Sequence, residues 1–282
     1  MQIIRDLPAL RKAVAGLKKE CGKLAFVPTM GALHAGHMAL IAEAGRKADH
    51  VVASIFVNPT QFALNEDFST YPRREAEDMH MLEKGGCALL WAPDVETMYP
   101  PGHSTTINVT GVSDGLDGAA RPGHFTGVAT IVYTLLNQVQ PDIALFGEKD
   151  FQQLAVIRRM VRDMDLPVEI DGVPTQRDAD GIALSSRNIY LSKEQRIAAR
   201  ALPRALGEAA KAIQEGGDIR EHTERATDTL RRAGFDPIDY VAVCDAETLE
   251  SLTSLTRPAR ILAAARIGQT RLIDNLPVIP SV

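Results

Sequence analysis

Cysteine is scarce in this chain of 282 residues: Cys21, Cys87 and Cys244 are odd in number and far apart. That pattern excludes a disulfide framework, offers no structural zinc site and fits a reducing compartment. Long apolar runs are missing too. Charge, proline or glycine interrupts each apolar stretch before it reaches membrane-spanning length, and the N-terminus carries no apolar run of the signal-peptide kind. A basic excess is also absent. The formal net charge is −5, which argues against non-specific nucleic-acid binding, because such binding depends on neutralising many phosphates. No internal repeat and no low-complexity tract is present. These absences predict a soluble cytoplasmic protein that engages neither membrane nor nucleic acid.

With 45% apolar and 24% charged residues the chain falls in the ordinary globular range, and its length favours two domains over one. Strand-like runs at 23–28, 50–57, 88–92, 142–146 and 167–171 alternate with helical patterns at 37–48, 73–85, 123–140 and 151–164. Such alternation predicts an α/β, Rossmann-like parallel sheet with helices on both faces and right-handed crossovers. Ligands of such sheets bind at the carboxyl ends of the strands. Composition changes near Asp171-Gly-Val-Pro174, and helices at 193–215 and 219–233 then mix with strands near 239–244, 260–267 and 270–274. The predicted organisation is a first domain over 1–175 and a smaller α+β domain over 176–282. The tail from Pro277 is expected to fray.

Several segments at predicted strand ends and turns carry chemistry. Phe26-Val-Pro-Thr-Met30-Gly31-Ala32-Leu33-His34-Ala35-Gly36-His37 leads from an apolar run through a Pro/Gly turn to two imidazoles at a helix start. Residues three apart share a helix face, and a helix N-terminus offers N–H groups and partial positive charge to an anion. The arrangement suggests a phosphate site; alone, it is equally a turn with two surface histidines. Phe56-Val-Asn58-Pro-Thr-Gln61-Phe62 presents amides suited to a neutral ligand rich in hydroxyl and carbonyl groups, or an Asx turn before proline. Residues 65–72 read as a mobile loop near it. Gly147-Glu148-Lys149-Asp150-Phe-Gln-Gln153 puts a lysine at a helix start, where the dipole disfavours an ammonium unless an anion intervenes. A phosphate ligand explains that lysine better than a solvated side chain does. Leu184-Ser185-Ser186-Arg187-Asn188 is either a phosphate clasp of hydroxyls and guanidinium or an N-cap serine with an exposed arginine. Arg121-Pro-Gly-His-Phe-Thr-Gly127 either orients a further anionic group or opens a helix.

Taken in order, these segments resemble the signatures of the pantothenate synthetase (pantoate–β-alanine ligase) family, through residues 1 to about 192 and more weakly beyond. His-x-Gly-His is shared across the wider nucleotidyltransferase superfamily, including class I aminoacyl-tRNA synthetases. Phe-Val-Asn-Pro-x-Gln-Phe combined with Gly-Glu-Lys-Asp is more specific. The resemblance implies condensation of (R)-pantoate with β-alanine to give pantothenate, AMP and pyrophosphate through a pantoyl adenylate, with ATP as co-substrate and Mg²⁺ held mainly by its phosphates. It implies ATP contacts from Met30, Gly31, Ala32, Leu33, His34, Ala35, Gly36 and His37, and from Gly147, Glu148, Lys149 and Asp150. Gln176, Leu184, Ser185, Ser186 and Arg187 complete that set from the second domain, which would close over the triphosphate. His34, His37, Lys149 and Arg187 would be catalytic. The family gives His37 a proton-donor role; we read hydrogen-bonding and electrostatic help, since pyrophosphate on Mg²⁺ already leaves well. Gln61 would hold pantoate and border β-alanine, Gln153 would hold pantoate, and Asn58 and Arg121 would assist. A homodimer is also implied.

Two positions depart from the family pattern. Ala35 stands where an acidic residue is frequent, and Ala63-Leu64 where Gly-Pro or Gly-Ala is frequent. Neither removes a group that the chemistry uses. Two rivals are a nucleotidyltransferase with another acceptor and a non-catalytic nucleotide- or tRNA-binding module. A phosphorylated acceptor wants extra Arg or Lys near Asn58 and Gln61, and the glutamine-rich site argues against it; a tRNA module wants a basic domain, which the chain lacks.

Overall fold

The computed structural model describes residues 1–19, 22–62 and 68–280. Cys21, the Ala63-Leu64 departure and part of the expected loop over 65–72 therefore lie outside the described residues. The chain forms two compact units. One comprises Met1–Val109, Arg121–Glu148 and Val156–Pro174, and the other Thr110–Ala120, Lys149–Ala155 and Thr175–Val282.

The elements run β1 (Gln2–Ile4), α1 (Leu7–Lys19), β2 (Leu24–Thr29), α2 (Ala35–Lys47), β3 (His50–Ile55), α3 (Glu75–Lys84), β4 (Leu89–Trp91) and α4 (Val95–Met98). After α5 (Asp117–Ala120), which belongs to the second unit, come α6 (His124–Val139), β5 (Ile143–Gly147), α7 (Phe151–Asp163) and β6 (Glu169–Val173). The six strands make one parallel sheet in the order β1-β4-β3-β2-β5-β6. Central strands are continuously apolar because both faces are covered: Leu24, Ala25, Phe26 and Val27 are all fully buried. From β2 the chain builds outward through β3 and β4, then returns to the other side with β5 and β6. The winding thus reverses between β2 and β5, the place where open α/β sheets collect ligands.

The predicted strands are present, with small shifts. β1 and α1 lie outside the predicted elements, although Leu7, Leu10, Val14 and Leu17 of α1 carry helical spacing. The predicted helix over 193–215 is two helices, α8 (Lys193–Ala199) and α9 (Ala201–Gln214). Pro203 explains the break: it has no N–H for a continuous ladder and is tolerated in a first turn.

The second unit continues with α10 (Ile219–Arg232) and an antiparallel sheet β7-β8-β9 of Ile238–Asp245, Ala259–Ile267 and Thr270–Val278. Residues alternate faces along these strands. Val243, Ile261, Ala263 and Leu272 pack with Leu206 and Ile213 of α9 and Leu230 of α10, while Leu262 and Cys244 pack with Phe151. The expected fraying from Pro277 is corrected: β9 includes Pro277, and Val278 is fully buried. Proline is compatible with β9 because the strand is an edge. Cys87 and Cys244 are buried free thiols, and burial pushes the Cys87 pKa up to about 12. Among the described residues no helix is long and apolar enough to cross a membrane.

Candidate active site

At the end of β2 the backbone makes an unusual turn. Gly31 (φ 79°) and Ala32 (φ 49°) are both left-handed, a conformation that costs a residue with a Cβ. Asp78 of α3 compensates: its carboxylate accepts the Ala32 N–H at 2.8 Å and the Leu33 N–H at 2.7 Å. Asp78 is buried; burial pushes its pKa up, and those two N–H bonds oppose the shift. A Cβ on Gly31 would lie 3.0 Å from Asp78 Oδ2, so a side chain there would crowd that carboxylate as well as strain the turn.

The turn delivers His34 as the N-cap of α2, which begins at Ala35 rather than at the predicted His37. His34 Nδ1 accepts the Gly36 N–H at 3.1 Å, and the His34 N–H donates to His37 Nδ1 at 3.3 Å. The two imidazoles therefore form a reciprocal capping box, with ring centroids 4.1 Å apart. A backbone N–H can only donate, so each Nδ1 is an acceptor and the proton of each neutral ring sits on Nε2. Ala35 is exposed on the first turn and Gly36 half-buried.

Beyond β3, Asn58 caps a short 3₁₀ turn, Pro59–Gln61. Asn58 is 1% exposed. Its Nδ2 donates to Gln61 Oε1 at 3.1 Å and to the Gly127 carbonyl at 3.2 Å, while its Oδ1 accepts from Tyr99 at 2.7 Å and Thr60 Oγ1 at 3.0 Å. Gln61 Nε2 in turn donates to Met30 Sδ at 3.0 Å. Met30, Asn58 and Gln61 are thus brought together, with Asn58 bracing Gln61. The first turn of α6 grips the same segment: His124 Nδ1 is 2.8 Å from the Gln61 carbonyl, and Arg121 Nη1 is 2.9 Å from His124 Nε2. Arginine only donates and a carbonyl only accepts, which puts the His124 proton on Nδ1. Arg121 Nη2 also donates to the Gln61 carbonyl at 3.4 Å.

The remaining candidates belong to the second unit, except Gly147 and Glu148, which end β5 and the first unit's segment. Lys149 lies in a 3₁₀ turn, Glu148–Asp150, ahead of the helix rather than on it; its Nζ is 3.8 Å from Asp150 Oδ1. Gln153 is half-buried. Its neighbour Gln152 is buried and structural, donating to the Val112 and Gly115 carbonyls and accepting the Asp117 N–H. The Gln176 carbonyl accepts the Leu184 N–H at 2.9 Å, closing a hairpin around the Arg177–Ala183 bridge. Ser185 Oγ caps the Arg187 N–H at 3.3 Å, so the N-cap geometry is realised there; Ser186 and Arg187 follow in the 3₁₀ turn Ser186–Tyr190, half-buried.

Sequence reasoning missed Asp78, Tyr99 and His124. Only His124 carried a signal, as part of Arg121-Pro-Gly-His. Among the described residues no group of three or more His, Cys, Asp or Glu is placed to hold a metal ion.

The pantoate-beta-alanine ligase family profile matches residues 2–277. The chain is 62% identical to the pantothenate synthetase of Rhizorhabdus wittichii over 281 residues, covering 100% of both. It is 62% identical to that of Sphingopyxis alaskensis, over 99% of this chain and 100% of that one. The crystal structure of pantothenate synthetase from Thermus thermophilus superposes with a TM-score of 0.94 at 47% identity, covering 99% of this chain and 100% of the other. A pantoate-beta-alanine ligase from Francisella tularensis, complexed with beta-gamma ATP and beta-alanine, gives 0.83 at 34%, covering 98% and 97%.

Proposed function

The chain belongs to the pantoate–β-alanine ligase family and condenses pantoate with β-alanine at the expense of ATP, and from that premise we propose how its own side chains carry the reaction. A pantoate carboxylate oxygen attacks the α-phosphorus of ATP and pyrophosphate leaves, giving pantoyl adenylate. The β-alanine amine then attacks the acyl carbon, AMP leaves with the bonding electrons of the C–O bond, and the nitrogen sheds a proton to give the amide.

Little covalent work falls to the protein, so its contribution is positioning and charge stabilisation. His34 and His37 act as neutral Nε2–H donors to the phosphates. With Nδ1 of His37 committed to the helix cap, giving up the Nε2 proton would leave an imidazolate. The capping geometry thus supports hydrogen-bonding help over proton donation. Lys149 and Arg187 bind phosphate, with Ser185 and Ser186 beside the guanidinium, and Gly147 to Asp150, Gln176 and Leu184 complete the nucleotide contacts. Gln61, held by Asn58, and Gln153 bind pantoate; Arg121 acts through His124 on the Gln61 carbonyl. We assign Mg²⁺ to the phosphates of ATP and route no step through it. A cytoplasmic homodimer is part of the same proposal.

What carries this reading is the pairing of the His34–His37 cap after β2 with the Met30–Asn58–Gln61 cluster. The test is nucleotide product analysis with ATP, Mg²⁺, pantoate and β-alanine, omitting each acid in turn. AMP and pantothenate are expected only with both acids, and pyrophosphate exchange with pantoate alone. Formation of ADP, or exchange that needs β-alanine, would overturn the adenylate route.

A further inference from the structure

Consecutive residues of β9 point to opposite faces of the three-stranded sheet, and at Asp274 and Asn275 both directions are used. Both side chains are buried, at 2% and 3% exposure. Asp274 grips Arg177 bidentately, Nη1 to Oδ2 at 2.7 Å and Nη2 to Oδ1 at 2.8 Å. The same guanidinium donates to the Gly181 carbonyl at 3.1 Å. It therefore ties together the hairpin that returns through Ala183 and runs on into Leu184, Ser185, Ser186 and Arg187. A planar fork on a buried carboxylate fixes direction as well as distance.

Asn275 serves the other face. Its Nδ2 donates to the Lys149 carbonyl at 2.9 Å. Two residues on, Phe151 packs against Leu262, the register partner of Asn275 on β8, and the buried Arg260 guanidinium lies 4.0 Å over the Phe151 ring. One spot on the sheet thus holds the turn from Lys149 to Phe151 by a hydrogen bond, an apolar contact and a cation–π contact.

We propose that Asp274 and Asn275 are positioning residues for the nucleotide: Asn275 fixes the backbone that carries Lys149, and Asp274 fixes the hairpin that leads to Ser185 and Arg187. Two phosphate-binding segments far apart in sequence are mounted on adjacent residues of one strand. The inference rests on the reading that Lys149 and Arg187 bind ATP. Displacement of a charged group by about 1 Å costs up to about 10²-fold in rate, so loss of a mount of this kind is expected to show in ATP use.

The experiment uses the full chain and pantoate-dependent pyrophosphate exchange, with ATP and pantoate titrated separately. Asn275→Ala is expected to raise KM for ATP about tenfold while KM for pantoate changes little, the split that marks lost binding of one substrate. Asp274→Asn, which keeps the shape and removes the charge, is expected to act in the same direction. Leu230→Ala, a truncation in the helix core of the same unit, serves as control: it should lower the melting temperature without that split. The double variant Lys149→Ala/Asn275→Ala should be no worse than Lys149→Ala alone, because residues acting through one another are not additive. If Asn275→Ala does not fold, Asn275→Asp carries the same test, since it turns an acceptor toward the Lys149 carbonyl. An unchanged KM for ATP in the Asn275 variants, with Lys149→Ala impaired, overturns this inference alone. A Lys149→Ala enzyme with normal ATP use overturns the phosphate reading and the inference with it.

Discussion

The Asp78 carboxylate accepts the Leu33 N–H at 2.7 Å from 45 residues away in sequence. Together with its bond to the Ala32 N–H, this contact holds the left-handed turn that presents His34 and His37. Asp78→Asn offers one oxygen in place of two, so one buried N–H would face an amide nitrogen. An unsatisfied buried donor costs about 1–3 kcal/mol. We expect a stability loss of that size and adenylation slower by about tenfold, as the histidine pair shifts. Single-turnover adenylation together with denaturant unfolding checks this; a full rate in the variant would separate Asp78 from the histidines.

Lys149 stands in a turn ahead of α7, its Nζ 3.8 Å from Asp150 Oδ1. Lys149→Ala should lower the adenylation rate by about 10²–10³, the usual loss for one preorganised charge donor. Turnover near wild type at saturating ATP would end the assignment.

His37→Ala should cost at least about 10² in the same step, and it also removes the acceptor for the His34 N–H. His37→Asn is the informative companion, because its amide can supply both an acceptor for the cap and an N–H for phosphate. Partial recovery of rate is expected there. No recovery, with wild-type activity following a group that titrates in the ordinary histidine range, would favour proton transfer.

Gly127 lies where α6 meets the turn that carries Gln61. A Cβ there would sit 2.4 Å from the Thr60 carbonyl oxygen and 2.8 Å from the Gln61 nitrogen. Both neighbours are backbone, so the turn must move. Gly127→Ala should cost about 1–3 kcal/mol of stability by overpacking and raise KM for pantoate more than KM for ATP. Equal effects on the two substrates would detach Gln61 from pantoate.

Asp245, at the end of β7, is buried. Burial alone would raise its pKa, but N–H bonds from Thr248 and Glu247 and the Arg257 guanidinium outweigh it and hold the carboxyl at about 2. A depressed carboxylate stabilises the fold above its unfolded pKa, and that contribution is lost as pH falls from about 4 toward the folded value. Asp245→Asn should therefore be less stable than wild type by about 2 kcal/mol near neutrality, with the gap closing toward about pH 2. Unfolding by urea from neutral pH down to that value measures it; a gap constant over the range would refute the linkage.

Much of the fold and part of the site were legible in the chain. Apolar runs such as 24–27, separated by helical patterns, determined a parallel α/β sheet, because a strand covered on both faces has no polar side to show. The His-x-Gly-His turn was legible because its caps are local: His34 bonds Gly36 and His37. The Asn58 and Gln61 amides were legible as a candidate cluster for the same reason, lying in one turn and bonding each other.

Tertiary structure alone decided the rest. Gln152 and Gln153 are indistinguishable as letters, yet one is consumed by Val112, Gly115 and Asp117, and the other is left half-buried. Tyr99 reaches Asn58 across 41 residues, and Asn275 reaches Lys149 across 126. Which nitrogen of His124 carries the proton followed from the Gln61 carbonyl, 63 residues away in sequence. The physical reason is common to all of them. Periodicity and local turns depend on backbone geometry that a few neighbouring residues fix, whereas a hydrogen bond depends on distance and direction that exist only once distant segments have closed on one another.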